Sequence, residues 1–118
     1  MPDTTEVSTP ALTLRTHKFE NDIVVQCSGI LISANSGLLK THVKDLIPQT
    51  KCVVLDLTEL SRMDSSGLGT IVALYISAKN AGSTLELINL SPRIRELFGL
   101  TNLLSVFETC GRYGTRLP

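Results

Sequence analysis

The sequence predicts an α/β domain of α+β-like character, a mixed four- to five-stranded sheet with helices packed mainly on one face. Three observations carry that expectation. Cys52-Val53-Val54-Leu55-Asp56-Leu57 is a near-continuous apolar run, suited to a central strand covered on both faces. Apolar stripes at helical spacing alternate with strand-like segments from residue 35 onward. Ahead of them lie two strand-like segments joined by Glu20-Asn21-Asp22, a turn signal that makes them a hairpin.

Residues 1–10 are polar with two prolines and read as a flexible leader. Over 11–18, Leu12 and Leu14 alternate with polar neighbours, the period of a half-buried strand, here expected at the sheet edge. Residues 23–27 follow as a more buried strand. Gly29 to Ala34 leads into Asn35, a good helix N-cap. Leu38, Leu39, Val43, Leu46 and Ile47 then share a helical stripe, and Pro48 stops that helix.

After the central strand at 52–57, residues 58–62 are polar around Leu60 and read as a connection. A second helix runs over 68–81, with Ile71, Val72, Tyr75 and Ala78 on one stripe and Gly82 as its C-cap. Residues 84–90 alternate as another strand. Ser91-Pro92 is a strong helix start, and Ile94, Leu97 and Phe98 form the apolar side of the helix that runs to Gly99. Residues 100–104 read as a turn or short helix, 106–107 as a last short strand, and 109–118 as a flexible tail. The order is ββαβαβα, with right-handed crossovers joining parallel strands. One domain at 11–108 is expected.

Composition removes several function classes. The 118 residues carry eleven basic and eleven acidic side chains with no basic cluster, which argues against nucleic acid as a partner. No apolar run approaches the ~18 residues of a membrane span, and the N-terminus lacks a signal-peptide layout. The expected setting is cytoplasmic. Cys27, Cys52 and Cys110 are widely spaced, and Cys27 and Cys52, within apolar strand patterns, read as small hydrophobes. His17 and His42 have no companion ligands, so no metal and no cofactor is expected.

Met63-Asp64-Ser65-Ser66-Gly67-Leu68-Gly69 is the stretch on which function turns. It sits where the central strand hands over to a helix N-terminus, whose free N–H groups and dipole tolerate negative charge. A catalytic serine would need a base and an orienting group, and neither histidine provides such a setting. The turn is not G-x-S-x-G. A P-loop would need a lysine after its second glycine, where Thr70 stands. No catalytic residue is assigned, and the chain is expected not to be an enzyme. On the residues alone, Asp64 or Ser65 as a plain helix cap competes with Ser65 as a phosphate-bearing switch.

Val54-Leu55-Asp56-Leu57 followed by Met63-Asp64-Ser65-Ser66-Gly67-Leu68-Gly69 resembles the signature of the STAS family, shared by sulfate transporters and anti-sigma factor antagonists. The likeness continues through Leu87-Ile88-Asn89-Leu90-Ser91-Pro92 and Leu97-Phe98 to Leu103-Leu104, covering roughly residues 12–108. It implies a STAS fold. It also implies the role of a stand-alone antagonist, in which the serine after the Asp, here Ser65, is phosphorylated by an anti-sigma factor serine kinase. Unphosphorylated antagonist binds the kinase and frees the sigma factor; phosphorylated antagonist lets go, and a metal-dependent serine phosphatase resets it. ATP and Mg²⁺ would belong to the kinase. Family antagonists commonly carry Gly-Glu-Leu-Asp after the second strand, where this chain has Gly29-Ile30-Leu31-Ile32. Both carboxylates are replaced, so exposed Ile30 and Ile32 mark either a different partner or a homodimer surface.

The resulting expectation is a phospho-switched binding module whose partner surface comprises Met63, Asp64, Ser65, Ser66, Gly67, Leu68, Ile30 and Ile32. A second reading is a regulatory or structural subunit of a signalling or transport complex, with Ser65 only a cap. A third, nucleotide binding at the Gly67/Gly69 helix start, lacks a lysine or ligand cluster to support it.

Overall fold

The computed structural model describes residues 4–100. Within them lie five strands and three α-helices: β1 Thr4–Thr9, β2 Leu12–Lys18, β3 Asp22–Leu31, α1 Ser36–Leu46, β4 Cys52–Met63, α2 Ser65–Asn80, β5 Thr84–Ile88 and α3 Pro92–Leu100. A 3₁₀ turn, Ile47–Gln49, carries Pro48 in its first residues and takes the chain off the end of α1. The strands lie in the order β1-β2-β3-β4-β5. The first three pair antiparallel, and β3, β4 and β5 pair parallel through the α1 and α2 crossovers.

Each helix is too short to hold its shape alone and is stabilised by docking its apolar stripe on the sheet. Val53, Leu55 and Leu57 of β4 face that side and merge with Leu39 and Val43 of α1, Ile71 and Leu74 of α2, and Ile94 and Phe98 of α3 in one core. The helices thus share one face, as the sequence predicts. On the other face Cys52, Val54 and Ile88 form a small second cluster with Val24. Both faces of β4 are buried through this stretch, which is why its sequence lacks alternation.

The expected N-terminal leader instead contains β1, which pairs along its full length with β2 and takes over the sheet edge assigned to residues 11–18. β4 is longer than 52–57. The residues read as a connection continue it to Met63, because two register shifts against β3, between Gln26 and Ser28 and between Gly29 and Ile30, let it bulge without leaving the sheet. α3 passes Gly99 and reaches Leu100. The expectations for 101–104, 106–107 and the tail at 109–118 lie outside the described residues.

His42 is half-buried, with Nε2 2.7 Å from the Thr16 hydroxyl, and burial holds its pKa below the ordinary histidine value. Cys27 and Cys52 are buried free thiols. Burial first, then the Asp56 carboxylate, pushes the Cys27 thiol up to about 12, which suits a packing role rather than reactivity. No described helix is long and apolar enough to cross a membrane.

Candidate functional site

The site forms where β3 and β4 end side by side and α2 begins. Leu31 of β3 pairs with Met63 of β4, so the loop after β3 and the turn after β4 emerge next to each other at the carboxyl ends of parallel strands. Open α/β sheets commonly present their binding sites at that end.

Asp64 joins the two segments. Its backbone N–H donates to the Leu31 carbonyl at 3.1 Å. Its Oδ1 accepts from the Gly67 N–H at 3.0 Å, capping α2, and its Oδ2 accepts from the Ser33 N–H at 3.2 Å, 31 residues away in sequence. These bonds favour the ionised carboxylate. The Gly67 amide first, opposed by partial burial and aided by the amides of Ser33, Ser66 and Asp64 itself, holds its pKa below the ordinary aspartate value. A carboxyl more acidic in the folded than in the unfolded chain adds stability above the unfolded value of about 3.8 and loses it as pH falls through the folded value. Asp64→Asn is therefore expected to lower the urea midpoint at pH 7, with the gap to the parent closing as the pH falls below about 3.8. A gap that does not change with pH would show that the charge contributes nothing.

With Asp64 as the cap, Ser65 and Ser66 are the first residues of α2, and both are exposed. Gly67 is buried behind them. A Cβ there would meet the Leu31 side chain and carbonyl at 2.8 Å and Met63 Cγ at 2.9 Å, so the helix start rests directly on β3 and β4. Leu68 turns into the core, and Met63 is half-buried against it. Beside Met63 a cleft of about 170 Å³ is lined by Arg93, Ile94, Glu96 and Leu97 of α3.

Ile30 and Ile32 flank this turn but are half-buried rather than exposed. Ile30 is the penultimate residue of β3, opposite Arg62, and its N–H donates to the Ala11 carbonyl at 2.9 Å. The loop that follows is tied down by Asn35. Its Oδ1 accepts from the Ile32 N–H at 2.9 Å, and its Nδ2 donates to the Ile30 carbonyl at 3.0 Å. Asn35 does occupy the N-cap position of α1, yet its side chain makes no capping bond, because both ends of the amide are committed to the loop. The sequence pointed to Asn35 as a cap and gave no role to Ser33. The Asn amide carries its acceptor and its donor on separate atoms of one short side chain, the single hint of a loop staple.

The eight predicted partner-surface residues therefore fall in two adjoining segments. Ser65 and Ser66 are exposed, Met63, Asp64, Ile30 and Ile32 are half-buried, and Gly67 and Leu68 sit inside as support. Among the described residues no group of three His, Cys, Asp or Glu is arranged to hold a metal ion.

Comparison with known proteins agrees with this architecture. The family model described as the STAS domain matches residues 13–115. The anti-sigma-B factor antagonist of Bacillus subtilis is 34% identical over 89 residues, which is 75% of this chain and 82% of that protein. An anti-sigma factor antagonist from Mycobacterium paratuberculosis shares the fold at TM-score 0.74 and 21% identity, covering 86% of this chain and 87% of that one. The antagonist SpoIIAA does so in its unphosphorylated form at TM-score 0.68 and 22% identity, over 76% and 81% of the two chains. Its phosphorylated form matches at TM-score 0.65 and 21% identity, over 80% and 86%. With the family model spanning nearly all of β2, the strands β3 to β5, the helices and the Asp64 turn, the chain belongs to the STAS domain family.

Proposed function

We propose that this protein is an anti-sigma factor antagonist, a non-enzymatic cytoplasmic binding module that regulates transcription by sequestering an anti-sigma factor serine kinase while Ser65 is unphosphorylated. The observation that carries it is Ser65 itself: an exposed hydroxyl on the first residue of α2, directly after a cap that fixes its backbone. The names of the relatives support the reading, and so does the existence of the fold neighbour SpoIIAA in both phosphorylation states. Ser66 is equally exposed. Ser65 is preferred because it holds the position directly after the Asp.

Phosphate would bring about −1.5 to −2 charges to a surface that otherwise presents a neutral hydroxyl. The N-terminus of α2 offsets part of that charge, on the order of 1 kcal/mol, so the domain itself tolerates the modification. A partner shaped to the unmodified turn meets an uncompensated charge, and each ~1.4 kcal/mol of mismatch weakens binding tenfold. Kinase binding then fails while the fold survives. A metal-dependent serine phosphatase would return the turn to its binding form.

Intact-mass analysis with the cognate kinase and ATP is expected to show one added phosphate, absent from Ser65→Ala and retained in Ser66→Ala. Ser65→Asp is expected to weaken kinase binding at least about tenfold with an unchanged denaturation midpoint. Phosphate that persists in Ser65→Ala, or binding indifferent to Ser65→Asp, would refute the switch and favour the subunit reading, in which Ser65 is only part of a helix start.

A further inference from the structure

We infer that the protein self-associates through the free edge of β1, two copies joining as an antiparallel β1–β1 pair centred on Val7. Among the described residues β1 is the terminal strand of the sheet and pairs only with β2. No described residue covers its outer edge, and Thr4, Thr5, Glu6 and Ser8 are exposed. An edge of this kind is a template for another strand unless it is broken by proline, lysine or a bulge. None interrupts Thr4–Thr9, whose register with β2 runs without a shift. The matched family region begins at residue 13, so β1 lies ahead of the shared domain and its edge is additional to it.

The occupant follows from the strand's own pattern. A two-fold axis normal to the sheet pairs residues that lie on the same face. Val7 shares the helix face with Thr5 and Thr9, while Glu6 shares the opposite face with Thr4 and Ser8. Centring the pair on Glu6 would set two carboxylates against each other. Centring it on Val7 sets Val7 against Val7, Glu6 against Ser8 and Thr5 against Thr9, with no like charges opposed. The strand is thus complementary to itself in one register.

The neighbouring surface gives such a dimer more than backbone bonds. On the helix face, a groove of about 380 Å³ runs beside β1, lined by Val7, Leu38, Thr41, His42 and Asp45. The axis puts the α1 helices of both copies on one side of the joint sheet, so the two grooves meet across the Val7 pair. Ser65 stands beyond β2 and β3 at the end of β4, roughly three strand spacings of ~4.8 Å from the edge. Self-association through β1 therefore leaves both switch turns open and does not depend on the proposed function.

Sedimentation equilibrium of the full chain is expected to show a monomer–dimer equilibrium. Ser8→Lys, opposing Glu6 in each half of the pair, is expected to tighten it about tenfold, and Ser8→Glu to loosen it about tenfold. Ser8 is exposed, so both variants should keep the fold, which their denaturation midpoints check. In a Cys110→Ser background, Val7→Cys is expected to form a disulfide-linked dimer on oxidation, and Ser65→Asp should leave the equilibrium unchanged. A monomer at roughly millimolar protein would overturn the inference and leave the edge to the residues after 100 or to another protein. So would Ser8→Lys and Ser8→Glu having the same effect, or tightening by Glu6→Gln alone, which would indicate the Glu6-centred register.

Discussion

Replacing Gly29 with alanine is expected to lower the stability of the domain by about 3–5 kcal/mol, measured as the loss in urea denaturation free energy. Two effects add. Gly29 has a φ of +106°, a conformation that residues with a Cβ adopt only under strain. A Cβ there would also lie 2.2 Å from the Ala11 carbonyl oxygen, which is backbone and cannot rotate aside. That carbonyl accepts the hydrogen bond from Ile30 that closes β3 onto the start of β2. Relieving the overlap therefore opens the sheet where the loop of Ile32, Ser33 and Asn35 begins. A typical domain has only ~5–15 kcal/mol in total, so the variant is expected to be partly unfolded at 37 °C. Wild-type stability for Gly29→Ala would mean that the strand end can shift freely.

Gly67 and Gly69, two residues apart on α2, are expected to respond to alanine with opposite signs. Within a helix, alanine is favoured over glycine by about 1 kcal/mol. At Gly69 nothing lies within 4 Å of the new methyl, so that gain is expected in full. At Gly67 the methyl would sit 2.8 Å from the Leu31 carbonyl and side chain and 2.9 Å from Met63 Cγ. Overpacking against fixed backbone costs ~1–3 kcal/mol or more, so Gly67→Ala is expected to be destabilising by up to about 2 kcal/mol net and Gly67→Val by more. The difference has a functional side. Lifting α2 off β3 moves the Gly67 N–H from the Asp64 carboxylate and displaces Ser65, so Gly67→Ala should also weaken partner binding where Gly69→Ala does not. Equal stability changes at the two positions would show that the helix start is not seated on Leu31.

Much of the architecture could be read directly because its signals are local. The unbroken apolar run of β4, the stripe of α1, and Ser91-Pro92 each depend on neighbours in sequence, and the Ser91 hydroxyl does accept from the Ile94 N–H at 3.2 Å. β1 escaped notice because an edge strand buries little. Thr4-Thr5-Glu6-Val7-Ser8-Thr9 has one apolar residue, and that residue is only half-buried at the margin of the core. The second half of β4 was hidden by its bulges, which disrupt the two-residue period just where Thr58, Glu59, Ser61 and Arg62 also make it polar. The candidate site divides in the same way. Asp64 could be recognised as a cap from its place before a helix, whereas its bond to Ser33 joins parts of the chain that only the parallel pairing of β3 and β4 brings together. Ile30 and Ile32 looked exposed because no strand end or loop staple was visible around them, and Asn35, the residue that holds that loop, looked like an ordinary cap.

The doubled bulge in β4 also governs which changes in chain length the gene can accept. Deleting one residue from a regular strand turns every later side chain to the opposite face, and at Val54 that would bring polar residues into the core and expose leucines. At Thr58 or Ser61 the chain already carries a residue that has no counterpart in β3. Losing one there would restore an even ladder and keep Met63 and the Asp64 turn in phase. Lineages that shorten this strand should do so at those two positions, and the switch turn would pass through the change with its orientation intact.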